Sequence, residues 1–282
     1  FPYTTLFRSK ISVELRFKLI IIILVLIIIV GIMSPVIAPN DPYKTDLFNT
    51  LKSPSIEFWF GTDALGRCIF SRVLYGISNS IISAMTIVLI TFSGGTIIGV
   101  ISGFYGGIVD EIIMGIVDVF LSFPGIIIAV AVAGILGGGL KNAMIAIGLI
   151  SWPKYSRLAR CEVMAINSET FILAAKLSGN GNLKIILKHI IPNIIGALVI
   201  TASADVGIMI MELAGLSFLG LSSPLPIPEW GSMMNEGKSM LQSAPWITLF
   251  PGTAILIVVI LFNLLGDTIC ELLENGQRRQ VK

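Results

Sequence analysis

No charged residue occurs between Lys18 and Asp41, and none between Arg72 and Asp110. Uncharged runs of that length leave few folds open. A helix at the surface of a soluble domain needs a polar face, and these runs supply none. Leu19 to Val30 is unbroken aliphatic. At ~1.5 Å rise per residue, the uncharged stretch around it can cross a ~30 Å hydrocarbon core. Only 13% of the 282 residues are charged and 55% are hydrophobic, where a soluble domain carries about 25% charge. The sequence therefore predicts an all-α polytopic membrane bundle.

Hydropathy and breakers predict about six spans. The first is Leu19–Val30, within a segment 18–40 that follows Arg16 and Lys18. A cleaved leader would share its basic flank, apolar run and "VIA" ending, but the uncharged stretch is long for one. The second span is expected near Ile77–Gly103 and the third from Glu111 to about Gly134. Within the third, Asp118 and Pro124 are tolerable only where they face protein or water. "GILGGGLKN" reads as a turn. The fourth span is expected at Asn142–Tyr155, the fifth at Ile194–Leu216 and the sixth at Ile247–Leu265. A Pro-, Ser- and Gly-rich loop, 217–245, precedes the sixth.

Six spans place both termini on one side. With that side inside, the inner segments hold Lys10, Arg16, Lys18, Lys154, Arg157, Arg160, Lys176, Lys184, Lys188, Arg278, Arg279 and Lys282. The outer ones hold Lys44, Lys52, Arg67, Arg72, Lys141 and Lys238. The inner side carries roughly twice the cations, so both termini are expected in the cytoplasm. The expected order is a cytoplasmic segment 1–17, the first span, an extracytoplasmic segment 41–76, a transmembrane domain 77–267 and a cytoplasmic tail 268–282. Residues 1–9, "FPYTTLFRS", open on Phe and differ in character from the rest of the chain. They are read as a non-native start.

Several functions are disfavoured at this stage. A net charge of +2 gives no support for nucleic-acid binding. Cys68, Cys161 and Cys270 lie far apart and suggest neither a disulfide framework nor a zinc site. "GSMMNEGKS" brushes against a phosphate-binding loop, but its first gap is one residue too long and no strand precedes it. His189 stands alone, whereas a metal site needs several ligands. Neither a catalytic residue nor a cofactor is expected. Met209 and Met211 read as packing residues. Trp152, Trp230 and Trp246 read as interface anchors, with Trp230 and Trp246 at the outer boundary.

The stretch Leu173–Asn193, "LAAKLSGNGNLKIILKHIIPN", is basic and hinged in an otherwise apolar chain. Two short helices, Thr170–Leu177 and Leu183–His189, are expected to meet at a glycine-permitted turn, Ser178–Asn182. Each is too short to stand alone in water. Leu173, Ala174 and Leu177, then Leu183, Ile186, Leu187 and Ile190, form the side expected to pack on the bundle. Lys184 and Lys188 point away from it. Pattern alone supports equally a helix pair that offers its turn to a partner and an amphipathic loop lying on lipid.

This stretch resembles the cytoplasmic signature loop of binding-protein-dependent ABC importer permeases: Glu-Ala-Ala, three residues, Gly, nine residues, Ile-x-Leu-Pro. Ala174, Ala175, Gly179 and Pro192 fall in register, and Leu173, His189 and Ile191 depart from it. "FGTDALGRCIFSRVLYG", "GFYGGIVDEIIMGIVDVFLSFPG", "SWPKYSRLAR", "AGLSFLGLSSPLPIPEWGSMM", "SAPWITLFPG" and "FNLLGD" resemble segments of the peptide and nickel branch, in its order, with Cys68 where Asp is usual. The likeness runs from about 58 to 267 and leans toward nickel permeases.

The resemblance implies a permease subunit of the prokaryotic cytoplasmic membrane, surrounded by lipid. It would pair with a homologous permease, two cytoplasmic ATPase subunits and an extracytoplasmic substrate-binding protein. Its cargo would be nickel, free or chelated, or di- and oligopeptides. The segment of about 160–192 would be the coupling loop between spans four and five, with Ala174, Ala175, Gly179, Asn180, Gly181 and Pro192 at its turn.

Asp205 and Glu212 lie two turns apart on one face of the fifth span. Intramembrane carboxylates usually face a bundle interior or a water-filled cavity. They fit a translocation pathway favouring cations, and equally a buried pairing with backbone or a partner subunit. An ion-coupled secondary transporter using Asp118, Asp205 and Glu212 is the alternative function. An intramembrane enzyme is disfavoured by the single histidine, placed outside any span.

Overall fold

The computed structural model describes residues 12–221 and 226–280, with side chains described to residue 273. The suspect opening 1–9 and Lys282 lie outside the described residues, as do the side chains of Arg278 and Arg279. Apart from a bridge between Thr62 and Cys68, regular structure among the described residues is helical. That is the expected outcome for a chain whose backbone polar groups must be satisfied without water.

The helices in order are α1 (Val13–Ile32), α2 (Ser34–Ile37), α3 (Ile69–Ile77), α4 (Ser83–Tyr105), α5 (Gly107–Leu121) and α6 (Gly125–Ile135). Then come α7 (Leu140–Asn167), α8 (Thr170–Leu177), α9 (Asn182–Ile185), α10 (Ile191–Phe218), α11 (Trp230–Gly237) and α12 (Trp246–Gln280). Wide π turns at Ser78–Ile82 and Ile186–Ile190 join α3 to α4 and α9 to α10 without a break.

Among the described residues four helical stretches are long and apolar enough to cross a membrane: Val13–Ile32, Ile69–Tyr105, Asn182–Phe218 and Trp246–Leu273. A fifth arises if α5 and α6 count as one span, and these two are bent by 84°. Length and hydropathy thus recover four or five of the six expected spans. The third is a broken pair, because Pro124 caps α6 and fixes its own φ. The fourth is the start of α7, a 28-residue helix whose Lys154, Arg157 and Arg160 make it too polar to qualify. The second begins earlier than expected, at Ile69. The tail expected from 268 is a continuation of α12, and the loop expected at 217–245 contains α11.

Small residues set the closest helix contact. Gly95, Gly99 and Gly103 form a stripe along α4 that meets the backbone of α7. A Cβ on Gly95 would lie 2.5 Å from the Trp152 carbonyl oxygen, and one on Gly103 2.9 Å from that of Arg160. At Gly99 it would collide with the Ser156 carbonyl. Close backbone approach of this kind is how helices associate in lipid, where apolar burial gives little drive.

The apolar core has two parts. The larger gathers Ile69, Ile81, Leu213, Leu216, Trp230, Met233 and Ile247 toward the end where α10 finishes. The smaller gathers Val100, Ala159, Val163, Ile172, Ala175, Ile185, Ile190, Ile194 and Leu198 at the opposite end, under α8 and α9.

Candidate functional site

The hinged stretch forms at the end of α7. α8 spans Thr170–Leu177 as the sequence predicts. The second helix is not separate: Asn182 starts a helix that passes through the π turn into α10. Between them, Gly179 takes φ +75°, a left-handed conformation that favours glycine, with open space around it. Gly181 has φ −67° and makes no such demand. Ser178 N–H donates to the Ala174 carbonyl, and Asn180 Nδ2 donates to the Ala175 carbonyl at 3.0 Å. Pro192 sits directly after the π turn, inside the helix that continues into α10, and offers no N–H to the turn before it.

The packing face of this element agrees with the expected one only at Ile186 and Ile190. Ile172, Ala175, Ile185 and Ile190 are buried against the bundle. Leu177, Leu183 and Leu187 are 90%, 69% and 57% exposed, and Leu173 is also exposed. Both sides of the stretch are apolar, and the isoleucines fit the gap between α7 and α10. Burying each isoleucine is worth about 1.5–3 kcal/mol relative to exposure. The leucines are left on an open surface beside Lys184 and Lys188. A groove of about 730 Å³ on this surface is lined by Gly181, Asn182, Leu183, Lys184, Leu187 and Lys188. Lys176 bonds Asn167 Oδ1 at 2.9 Å and lies over the Phe104 ring. His189 is half-buried, and among the described residues no group of three or more His, Cys, Asp and Glu could hold a metal ion.

Asp205 and Glu212 do share a face of α10. Asp205 is 1% exposed and accepts from Lys154 Nζ at 2.5 Å. Tyr155, the next residue on α7, is fully buried beside the same carboxylate. Glu212 is half-buried, near enough to feel the charges of Asp205 and Lys154. Asp118 pairs with Arg157 on an exposed face. Of the carboxylates considered for ion coupling, Asp118 and Asp205 thus each hold a cationic side chain from α7.

The far end, where α10 finishes, carries a charge cluster that sequence reasoning missed. Asp63 Oδ2 accepts from Arg67 Nε at 2.6 Å and lies 3.7 Å from Arg72 Nε. Glu236 of α11 pairs with Arg67 and accepts from Arg72 Nη2 at 2.9 Å. Arg72 Nη1 also donates to the Pro226 carbonyl. Burial pushes the Glu236 carboxyl above its ordinary range, and the Arg72 and Arg67 guanidiniums pull it part of the way back.

Trp230 is buried here rather than at an interface. Its Nε1 donates to the Val73 carbonyl at 3.0 Å, so the indole dipole is satisfied inside protein. Trp246, half-buried, donates to the Thr62 carbonyl at 3.0 Å. Glu229 caps α11 by accepting from Gly231 N–H and Ser232 N–H, both at 2.8 Å, while burial raises its carboxyl above the usual range. In "GSMMNEGKS", an acidic side chain thus occupies the amide cluster that a phosphate loop would offer its ligand.

Comparisons with known proteins bear on this arrangement. Residues 95–279 match the family described as binding-protein-dependent transport system inner membrane component. The chain is 41% identical over 246 residues to a dipeptide transport system permease protein of Alkalihalophilus pseudofirmus, covering 87% of this chain and 81% of that one. It is 37% identical over 252 residues to a nickel transport system permease protein of Escherichia coli K12, covering 89% and 91%. A glutathione transport system permease protein of Escherichia coli O1:K1 is 39% identical over 247 residues, covering 87% and 82%. Among solved structures, a chain of the MetNI methionine ABC transporter in an inward-facing conformation superposes with a TM-score of 0.61. It covers 72% of this chain and 97% of that one at 19% identity, a likeness of fold.

Proposed function

Since the chain belongs to the family of binding-protein-dependent transport system inner membrane components, and is therefore a multi-pass ABC importer permease, we propose that it forms half of a heterodimeric pathway driven by ATP. Its cargo is nickel, free or chelated, or a short peptide, delivered by an extracytoplasmic binding protein. The cargoes named for its relatives, dipeptides, nickel and glutathione, support that range. Both termini and the hinged stretch lie in the cytoplasm, and residues 41–76 lie outside. ATP is hydrolysed on two separate ATPase subunits. The ion-coupled alternative finds no support among the relatives.

The observation that carries this reading is the two-sided hinge. Ile172, Ala175, Ile185 and Ile190 seat it on the bundle, while Leu177, Leu183 and Leu187 stay open beside Lys184 and Lys188. An apolar patch rimmed by charge, on a rigidly seated turn, suits a groove on another protein. Rotation of that partner would move α8 and α10 together, and two packed arrangements of the bundle would then alternate access. Ala174, Ala175, Gly179, Asn180, Gly181 and Pro192 shape the turn that enters the partner.

Crosslinking tests this in membranes. Asn180→Cys, in a background without Cys68, Cys161 and Cys270, is paired with a cysteine in the groove of the co-expressed ATPase. A crosslink whose yield changes with ATP is the expected result. A stable, transporting complex that gives no crosslink overturns the coupling role. Uptake of ⁶³Ni²⁺ against labelled alanyl-alanine separates the cargo classes.

A further inference from the structure

α7 and α10 enclose a cluster of buried oxygens from Tyr155, Asp205 and Glu212. Asp205 gives Oδ1 to Lys154, but its Oδ2 is buried without a hydrogen-bond partner. The Tyr155 hydroxyl, on a side chain 0% exposed, lies beside that carboxylate as its neighbouring donor. Glu212 Oε2 completes the cluster, buried and unpartnered, two turns farther along α10. Buried polar groups are nearly always satisfied, so a carboxylate oxygen left without a partner beside a buried ion pair calls for an explanation.

The charge count points the same way. Asp205 and Glu212 bring two carboxylates, and Lys154 supplies one ammonium. A carboxylate left unmatched inside a bundle is costly, and one more positive charge removes that cost. A cation supplies that charge when one arrives. The Lys154 side chain is half-exposed, so the cluster opens on one side to whatever passes along α10.

We propose that Asp205 Oδ2, Glu212 Oε2 and the Tyr155 hydroxyl form a cation station on the translocation path, which takes the positive charge of the cargo. That charge is a metal ion or a peptide ammonium. Lys154 acts as a positioning residue that holds Asp205 by its other oxygen. This deepens the importer reading given above and rests on it.

The test uses the full complex in proteoliposomes, with the partner permease, ATPases and binding protein. ⁶³Ni²⁺ and labelled alanyl-alanine are the two probes, distinguishing metal from ammonium. Asp205→Asn should lower uptake by about tenfold or more while the ATP-dependent Asn180 crosslink persists. The decisive variant is the neutral pair, Lys154→Met with Asp205→Asn. If Asp205 served only to neutralise Lys154, this pair restores uptake, and the proposal is overturned. If Asp205 receives cargo, uptake stays low. Should Asp205 variants fail to assemble, Glu212→Gln decides. A rise of about fivefold or more in the cargo concentration for half-maximal uptake supports the station, and no change sinks it. A wild-type complex that crosslinks normally but takes up neither probe overturns the station and leaves the coupling role standing.

Discussion

The two ends of the bundle hold their irregular segments by opposite means. At the far end, Asp63, Arg67 and Arg72 are almost wholly buried and tied to Glu236 of α11. At the hinge end, Lys184 and Lys188 face outward, and apolar contacts beneath Ile172, Ala175, Ile185 and Ile190 do the holding. A buried ion network demands near-ideal geometry, because stranding one charge costs several kcal/mol. It therefore fixes α11 in one place. An apolar footing is tolerant of small shifts and leaves its other side free for a partner. Rigidity and availability are thus assigned to different ends.

Breaking the far end should have the largest effect. Arg72→Met leaves Asp63 and Glu236 to share Arg67, so one buried negative charge goes unmatched, with an expected loss of about 3–5 kcal/mol in fold stability. The melting temperature of the purified protein would report it, and Arg72→Met with Glu236→Gln should recover part of the loss. An unchanged melting temperature would mean that the cluster adds no rigidity, and the contrast between the ends would fail.

The hinge should respond the other way round. Leu183→Asp is expected to leave fold stability within about 0.5 kcal/mol, since the residue is exposed. Association with the ATPase should weaken by about 2 kcal/mol, as for an interface anchor. Co-purification titrated against ATPase concentration measures this. Undiminished association would locate docking on another face.

Smaller effects sharpen the picture. Gly179→Ala forces a side chain into φ +75° and should cost about 1–2 kcal/mol locally, visible as faster hydrogen exchange in α8. Gly179→Asn should retain most of the wild-type protection, because Asn tolerates that conformation. The smallest effect is expected from Lys184→Ala. A cation in the first turn of a helix opposes the helix dipole, so its removal should stabilise the fold by about 0.3 kcal/mol. The same change should weaken ATPase association, which would mark Lys184 as serving the partner at the fold's expense.

Much of the helical layout was legible in the sequence, because uncharged runs leave the backbone no other way to satisfy itself. The α8 limits, the Gly179 turn and the shared face of Asp205 and Glu212 followed from local rules. What was not legible depended on distant partners. Arg67 and Arg72 read as ordinary outer cations, since Glu236 lies far along the chain. Trp230 read as an interface anchor, because nothing local shows that its N–H meets the Val73 carbonyl. α11 was hidden by the Pro- and Ser-rich residues before it. The hinge presents two apolar stripes, isoleucine and leucine, and only the shape of the gap beneath chose between them. Its second helix read as separate because the wide turn at Ile186–Ile190 has no sequence signature distinct from an ordinary helix.

That wide turn also sets a direction. Ile191 N–H reaches back to the Ile186 carbonyl, one residue farther than an α-helix allows. Each residue of a helix advances the azimuth by about 100°. Deleting one residue between 186 and 190 would restore ordinary winding and keep the helix whole. It would also swing everything before it through roughly a quarter-turn. Leu183 and Leu187 would then aim sideways, and Ile185 would leave its seat. In this segment chain length acts as a compass bearing, and a single-residue deletion would misdirect the hinge without unfolding it.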